Sequence, residues 1–374
     1  MNNQKKYNLF IFFGTFTRSL VEVFVPIILY NKVDSFSYVY FFLLLSYLFS
    51  FILNIPLVYL SRKLTFKWLI IITSFSIIIS YYYLFIMPFT IFNLVIIAIT
   101  HVINAHVYWL SRHYFALGIL TIKKISPQVG KIVILNQLAL IPASYLGALL
   151  ITYLNLYSLL LVIILLYIIT VIPLFCLENI KQKPISLKMG ISNIIKNIPF
   201  KYTLFFSFAQ FRVISKYLFP LYIFLYVKNQ YTYIGIFNII VGFASMLFVY
   251  FFAQKMAKKK KDYLLLTGFL SFIVWILKLN ILATGLFLIV GLMEGLVEKM
   301  YETAFNYNLY AWGKQYDRLS YVAYIEGLQS LVRVLIMLIF FLFIEDIKLI
   351  LYISAFMLII IGIIGYYNKK NLYE

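Results

Sequence analysis

The stretch Arg18-Ser-Leu-Val-Glu22-Val-Phe-Val-Pro26 returns in the second half of the chain as Arg212-Val-Ile-Ser-Lys216-Tyr-Leu-Phe-Pro220. Each copy places a cation, a second charge four residues later and a proline four residues after that, all within an apolar run long enough to cross a bilayer. The offset of 194 residues is about half of the 374-residue chain. A charge inside hydrocarbon costs roughly 2.5–3.5 kcal/mol on insertion scales, so it normally faces a polar cavity or a partner. The two copies therefore indicate a duplicated membrane protein with a polar site between its halves.

The composition is that of a polytopic membrane protein, because 64% of the residues are hydrophobic and 20% are aromatic. The single Cys176 excludes an internal disulfide. Lys5 and Lys6 precede an apolar run, as in a signal peptide, but the run is too long and contains Arg18 and Glu22. We interpret it as an uncleaved first span.

Twelve apolar runs of helix length predict twelve transmembrane helices. They lie near residues 8–30, 36–60, 67–87, 89–116, 131–154, 157–177, 202–227, 232–253, 263–279, 281–309, 319–344 and 348–367. With a cytoplasmic N-terminus, the loops on the inside hold twenty-two Lys and Arg residues, and those on the outside only Lys32, Lys228 and Lys348. This positive-inside bias places both termini in the cytoplasm. The net charge of +20 thus sets topology and contacts anionic lipid, and we predict no nucleic-acid partner.

The longest polar connection divides the spans into six and six. We predict an N-terminal six-helix bundle at 1–177, a cytoplasmic linker at 178–201 with a short interfacial helix near Met189–Ile195, and a C-terminal six-helix bundle at 202–374. Because six spans return the chain to its starting side, the two bundles are parallel repeats. The predicted fold is therefore an all-α polytopic membrane protein. The other loops are too short for a soluble catalytic domain, so we expect no enzyme.

A second repeat signal lies in spans four and ten. An offset of 190 aligns Asn104 with Glu294 and Arg112 with Glu302.

The parallel duplication and the basic loop in mid-chain resemble the major facilitator superfamily. Its signature G-x-L-[AS]-D-R-x-G-R-R is similar to Val58-Tyr-Leu-Ser-Arg-Lys-Leu-Thr-Phe-Lys67 after span two and to Phe252-Ala-Gln-Lys-Met-Ala-Lys-Lys259 after span eight. The basic positions are kept, but Ser61 and Gln254 stand where the acidic residue belongs, and the glycines are absent. The resemblance covers the whole chain in architecture. It implies that the first, fourth, seventh and tenth spans line a central cavity.

Arg18 and Arg212 each lie near the middle of their span, and Glu22 and Lys216 lie one turn further on. Paired arginines from spans one and seven resemble the anion clamp of organic-phosphate/phosphate antiporters within that superfamily. Guanidinium groups bind phosphate and carboxylate with two parallel hydrogen bonds. The alternative is structural: Glu22 neutralises Arg18, and an acid of span ten or eleven neutralises Arg212.

Glu294, Glu298 and Glu302 recur every four residues, so their carboxylates stack on one helix face and need nearby cations. A buried carboxylate can hold a proton on one side of a transport cycle and release it on the other. We predict proton coupling at Glu294 or Glu298. The alternatives are that these acids neutralise Arg212, Lys216 or Arg333, or that they contact the solute.

Two further spans contribute polar groups. Glu326, Gln329 and Arg333 share one face of span eleven and predict a charge network. In span four, His106 is a candidate hydrogen-bonding residue of the cavity. The histidines at 101, 106 and 113 do not share one face, so we predict no metal site.

We therefore predict a secondary active transporter in a prokaryotic plasma membrane, moving a small polar solute that is anionic or zwitterionic, with protons or a counter-ion as the coupling partner and no cofactor. The predicted solute-binding residues are Arg18, Glu22, Asn104, His106, Gln210, Arg212 and Lys216. The alternatives are an efflux carrier for amphipathic cations, a lipid-linked glycan flippase and a non-transporting membrane receptor.

Overall fold

The computed structural model describes residues 3–120, 125–175, 186–226, 230–259, 264–280 and 284–367. Within these ranges every regular element is a helix. The helices are α1 (Asn3–Ser19), α2 (Val25–Val33), α3 (Phe36–Phe85), α4 (Ile91–Ile119), α5 (Ile125–Tyr153), α6 (Leu156–Phe175), α7 (Leu187–Asn197), α8 (Phe200–Tyr226), α9 (Tyr231–Lys259), α10 (Leu264–Asn280), α11 (Thr284–Gly313), α12 (Arg318–Phe343) and α13 (Ile347–Tyr367). Span one is α1 with α2, spans two and three are α3, spans four to six are α4–α6, and spans seven to twelve are α8–α13. The short helix predicted in the linker is α7.

Apolar surface covers the outer faces of the helices. Among the described residues, seven stretches are long and apolar enough to cross a membrane: Lys5–Val33, Phe36–Phe85, Ile91–Ile119, Pro127–Tyr153, Leu156–Pro173, Arg318–Phe343 and Ile347–Ile364. Large side chains such as Phe75, Leu161 and Phe343 are more than 60% exposed. Such surface is stable in hydrocarbon and not in water, so the chain is a multi-pass membrane protein.

The first span is broken beside its two charges. α1 ends at Ser19, a 3-10 turn covers Glu22–Phe24, and α2 begins at Val25 with Pro26 in its first turn. Proline lacks the N–H that would bond four residues back, and its ring clashes with that carbonyl. A side chain at Gly147 of α5 would collide with the Leu20 carbonyl, so this glycine lets the break pack closely. The break leaves Arg18 at the end of α1. The equivalent helix α8 is continuous through Pro220.

The long helix α3 contains the turn between spans two and three. Its 50 residues would extend about 75 Å if straight, more than twice the hydrocarbon thickness. It is interrupted at Thr65, where φ is 51° and ψ is 153°. When the superfamily signature is aligned with its first glycine at Val58, its second glycine falls at Thr65. Its acidic residue falls at Arg62, so the placement of that residue at Ser61 in the sequence analysis was off by one position. Thr65 thus takes a backbone conformation suited to glycine.

Replacing Thr65 by Gly should raise the melting temperature of the protein. A β-branched residue at this backbone conformation costs about 1–3 kcal/mol, which glycine avoids. Thermal unfolding in detergent measures the effect. Thr100→Gly, in the regular interior of α4, is the matched control and should lower the melting temperature slightly, because glycine is about 0.3 kcal/mol less favourable than threonine in a helix interior. Equal destabilisation by both changes would show that Thr65 carries no strain.

Helix packing repeats in the two halves. α1 packs on α5 and α6, and its counterpart α8 packs on α12 and α13. Between the halves, α5 lies against α9 and α3 lies against α12. α5 and α9 are spans five and eight. A twofold rotation that exchanges the halves carries them onto spans eleven and two, which are α12 and α3, so the two contacts are equivalent. The packing therefore agrees with the predicted parallel duplication.

Candidate functional site in the centre of the bundle

Arg18 is held entirely by the first half. It is 5% exposed, its Nη1 donates to the Glu22 carboxylate at 2.9 Å, and its Nη2 donates to Asn104 Oδ1 at 2.6 Å. The guanidinium lies over the Tyr108 ring, 4.2 Å from its centroid. Asn104 donates in turn to the Thr73 carbonyl of α3 at 3.0 Å. Arg18 thus joins α1, α3 and α4.

Arg212 is held in the second half by the equivalent helices. Its Nε donates to Glu298 Oε1 at 3.0 Å, and its Nη2 donates to the Glu298 backbone carbonyl at 3.3 Å. The guanidinium lies over the Tyr301 ring at 4.7 Å. Lys216 shares the acid, with its Nζ 2.8 Å from Glu298 Oε1, and Glu302 lies 3.9 Å from Arg212. The structural alternative foreseen for Arg212, neutralisation by an acid of span ten, describes this geometry.

These contacts correct the alignment of span four with span ten. Arg18 and Asn104 are 86 residues apart, and so are Arg212 and Glu298. The offset of 194 therefore holds for both spans, and Asn104 corresponds to Glu298. The alignment of Asn104 with Glu294 is wrong by one helical turn. A shift of four residues keeps nearly the same helix face, so the sequence pattern alone does not separate the two alignments.

Glu22 and Lys216 occupy equivalent positions with opposite charges. Their side chains are 28% and 37% exposed, whereas those of Arg18, Arg212 and Glu298 are 6–9% exposed. The two halves therefore each present one accessible charge beside a buried arginine, an acid in the first half and a base in the second.

Glu294 forms a separate ion pair with Lys278 of α10. Lys278 Nζ lies 2.6 Å from Glu294 Oε1, and the lysine side chain is 1% exposed. The ammonium also lies over the rings of Phe219 and Trp275, at 3.5 and 3.9 Å from their centroids. The other carboxylate oxygen, Oε2, is buried without a hydrogen-bond partner.

The ladder of three glutamates is neutralised by four cations, of which Arg212 and Lys216 lie near both Glu298 and Glu302. Glu294 has Lys278, Glu298 has the two cations of α8, and Glu302 has Lys299 at 2.6 Å. This arrangement offsets the repulsion expected between stacked carboxylates.

Arg333 is bound by amides. Its Nε donates to Gln210 Oε1 at 2.7 Å and its Nη2 to Gln329 Oε1 at 3.2 Å, and its guanidinium lies 5.5 Å from the Tyr47 ring centroid. Arg333 therefore connects α12 to α8 and to α3 of the other half. It does not form an ion pair with Glu326, so the charge network predicted for span eleven is not a direct pair.

Glu326 pairs instead with the first half. Its Oε1 lies 3.3 Å from His113 Nε2, and the other ring nitrogen of His113 lies 3.0 Å from the Tyr310 hydroxyl. Nearby, Lys314 Nζ donates to the Leu117 carbonyl at 2.5 Å. These contacts join α4 to α11 and α12 at one end of the bundle, around a cavity of about 10 Å³, close to the volume of one water.

The opposite end also carries a contact between the halves. Asn31 Nδ2 donates to the Tyr231 hydroxyl at 2.9 Å, and the Tyr231 ring packs on Phe24 and Phe224.

His106 lies in the interface between the halves. Its Nδ1 is 2.7 Å from Ser50 Oγ, and its Nε2 is 3.0 Å from Asn54 Oδ1. Ser50 continues to Ser330 Oγ at 2.9 Å, and Asn54 donates to the Ala323 carbonyl at 2.8 Å. The predicted hydrogen-bonding role of His106 is thus seen in helix packing between α3, α4 and α12.

Metal-ligating side chains do not cluster in the described part of the chain, where no group of three or more His, Cys, Asp or Glu could hold an ion. His101 packs edge-on against Phe42 and Tyr81.

Sequence reasoning missed Lys278. Lys278 lies one residue before the predicted end of the ninth span at residue 279 and is not among the residues singled out from the sequence. In the structure it is buried, in the last turn of α10. Its position in an apolar run was the available signal, because a charge inside a span marks a candidate functional site.

Comparison with known proteins rests on structure alone. No family model matches the sequence, and no curated protein sequence matches it. The human organic anion transporter MFSD10 (TETRAN) superposes with a TM-score of 0.69 at 10% identity, covering 97% of this chain and 98% of that one. A bacterial homologue of the iron transporter ferroportin, in an outward-facing state, gives 0.69 at 13% identity, covering 98% and 99%. The nucleoside transporter NupG gives 0.65 at 13% identity, covering 99% and 100%.

The chain has the major facilitator fold. The predictions of twelve spans and of two parallel six-helix bundles are thereby confirmed. Within the major facilitator fold, Arg18, Asn104, Arg212 and Glu298 lie on the first, fourth, seventh and tenth spans, the helices that the resemblance assigns to the cavity.

Proposed function

We propose that this protein is a secondary active transporter in a prokaryotic plasma membrane, with both termini on the cytoplasmic side. In this proposal the protein has two halves, residues 1–177 and 202–374, which are joined by the linker 178–201. The halves rock against each other around the central polar groups. The proposal is supported by the fold that the chain shares, over nearly its whole length, with carriers of organic anions, iron and nucleosides. Those proteins carry different solutes, so in this proposal the solute class follows from this chain's own charges.

The observation that carries the solute class is the guanidinium of Arg333. Its hydrogen bonds go to two glutamine side chains, and no carboxylate of the described residues forms an ion pair with it. The guanidinium is half-buried, and because it is bound only by neutral groups it keeps its attraction for an anion. Its planar fork suits carboxylate or phosphate. It also lies where α8, α12 and α3 meet, between the two halves.

The balance of charge within the spans favours the same class. Apart from Lys67, Lys131 and Lys348, which are the first residues of their spans, the predicted spans contain seven cations and five acids: Arg18, Arg112, Arg212, Lys216, Lys278, Lys299 and Arg333 against Glu22, Glu294, Glu298, Glu302 and Glu326. A low-dielectric interior with surplus cations attracts an anion and repels a cation. The solute in this proposal is therefore anionic, or zwitterionic with its ammonium group at Glu22 and its anionic group at Lys216 and Arg333.

Alternating access requires the contacts at the two ends of the bundle to open in turn. In one state the pairs of His113 with Glu326 and of Lys314 with Leu117 separate, and in the other the pair of Asn31 with Tyr231 separates. Each set is small and polar enough to be exchanged for water as its end opens.

The proposed coupling ion is the proton, and the proposed site is Glu294. Glu298 is held by two cations, so its proton uptake would break two ion pairs. Glu294 has one cation partner, Lys278, and a carboxylate oxygen without a hydrogen bond. Protonation of Glu294 neutralises its single ion pair, with Lys278, and the proton binds the carboxylate oxygen that has no hydrogen bond. Basic cytoplasmic loops contact anionic lipid in this proposal.

Replacing Arg333 by Gln should weaken solute binding about 10- to 100-fold, because a charge-assisted hydrogen-bonded contact is worth about 1.5–3 kcal/mol. The measurement is a thermal-shift screen of purified protein against a metabolite library at two pH values, followed by titration of the stabilising solutes. Arg333→Lys should retain part of the affinity, since it keeps the charge and loses the fork. Lys188→Gln, on the exposed surface of α7, is the control for net charge and should bind as wild type does.

The same screen separates the alternatives. Stabilisation by lipophilic organic cations, undiminished in Arg333→Gln, would contradict an anion site and favour an efflux carrier. Stabilisation only by lipid-linked glycans would favour a flippase.

A further inference from the structure

A closed pocket around the Lys278 ammonium has the composition of an ammonium-binding site. One wall is the Glu294 carboxylate, 2.6 Å from Nζ. Two other walls are the faces of Phe219 and Trp275, at 3.5 and 3.9 Å, and Phe237 lies further out at 5.9 Å. An acid with aromatic faces stabilises a desolvated ammonium ion by charge and by cation–π attraction.

The backbone is shaped to build this pocket. Gly291, one turn before Glu294, leaves room for the Phe237 ring, which a Cβ there would approach to 3.1 Å. Gly295 lets α11 approach the Val241 carbonyl of α9 more closely than any side chain would permit. α11 therefore lies tightly on α9, and the Glu294 carboxylate, only 7% exposed as a residue, is enclosed with the aromatic rings.

We propose that Glu294, Phe219 and Trp275 form a binding site for a primary ammonium ion, and that the chain fills this site with its own Lys278. The Lys278 ammonium is a fixed positive charge beside Glu294. A carrier coupled to a metal ion would instead bind a cation from solution at such a carboxylate. Oε2 of Glu294 has no hydrogen-bond partner among the described residues, and in this proposal it is the oxygen that takes up a proton. The consequence for coupling rests on the proposed transport function, whereas the ammonium site itself does not.

The site is tested by removing its occupant and returning it from solution. Lys278→Ala deletes four heavy atoms, which n-propylammonium matches in number and connectivity. Propylammonium chloride should raise the melting temperature of Lys278→Ala by several degrees, with saturation as its concentration increases. Wild-type protein, whose site is occupied, should show no saturable shift.

Three comparisons decide the outcome. Lys278→Ala/Glu294→Gln should lose the saturable shift because the acid is gone, and Lys278→Met should lack it because methionine fills the space. An equal shift in either variant, or none in Lys278→Ala, overturns the site. A larger shift with NaCl or KCl at equal ionic strength overturns the ammonium class in favour of a metal cation.

Folding of the variant need not be assumed. If folded Lys278→Ala is recovered only when propylammonium is present during expression and purification, that dependence is itself the expected rescue. If the variant folds poorly and its yield is the same with and without the amine, the ammonium site is contradicted. For coupling, wild-type transport should be unaffected when choline replaces Na⁺. Sodium-dependent transport beside a positive propylammonium result would refute the coupling consequence and leave the ammonium site standing.

Discussion

Uptake driven by a pH gradient should be lost when Glu294 is replaced by Gln, while exchange of the same solute at a single pH should persist. A neutral amide resembles the protonated acid throughout the cycle, so the carrier can still turn over with solute bound but can no longer exchange a proton. The measurement compares gradient-driven uptake with counterflow in proteoliposomes, using a solute identified by the thermal-shift screen.

The ion pair with Lys278 requires a matched control. Glu294→Gln alone leaves a buried ammonium without its acid, which costs stability. Lys278→Met/Glu294→Gln removes both charges and should restore the melting temperature without restoring gradient-driven uptake. Wild-type accumulation by this double variant would exclude Glu294 as the required proton site.

Replacing Glu298 by Asn should destabilise the protein by about 3–5 kcal/mol, because Arg212 and Lys216 then lose their shared carboxylate inside the bundle. Thermal or denaturant unfolding measures the loss. Asn is the residue that the first half carries at the equivalent position, Asn104.

The duplication supplies the rescue for this variant. Lys216→Glu added to Glu298→Asn reproduces in the second half the arrangement of Arg18 with Glu22 and Asn104, with one arginine, one glutamate and one asparagine. The double variant should recover most of the lost stability. If it is no more stable than Glu298→Asn, the two arginine sites are not equivalent, and the offset of 194 does not describe the packing.

The charged spans and the duplication could be predicted from the sequence because each leaves a signal there. Arg18 and Glu22 stand out in an apolar run, and their copies at Arg212 and Lys216 give the repeat. The twelve spans followed from the length of the apolar runs. Such signals depend on composition and spacing, which are properties of the sequence itself.

The partners of those charges could not be predicted in the same way. Glu298 and Glu294 are four residues, about 6 Å, apart along one helix face, and only packing decides which of them meets Arg212. Likewise, Glu326 shares a helix face with Arg333 yet pairs with His113 of the other half. Contacts between helices depend on tilt and close approach, such as the glycine contacts of α11, and these have no fixed spacing in the sequence.

Alternating-access transport of an anionic or zwitterionic solute is tested most directly by uptake from a metabolite mixture into proteoliposomes under an imposed pH gradient, with mass spectrometry of the lumen. We predict that wild-type protein accumulates at least one anionic or zwitterionic solute against its concentration gradient, that dissipating the pH gradient stops it, and that Arg333→Gln reduces it strongly. No accumulation by folded, reconstituted protein across imposed gradients of either sign would contradict active transport, and accumulation of organic cations alone would contradict the solute class.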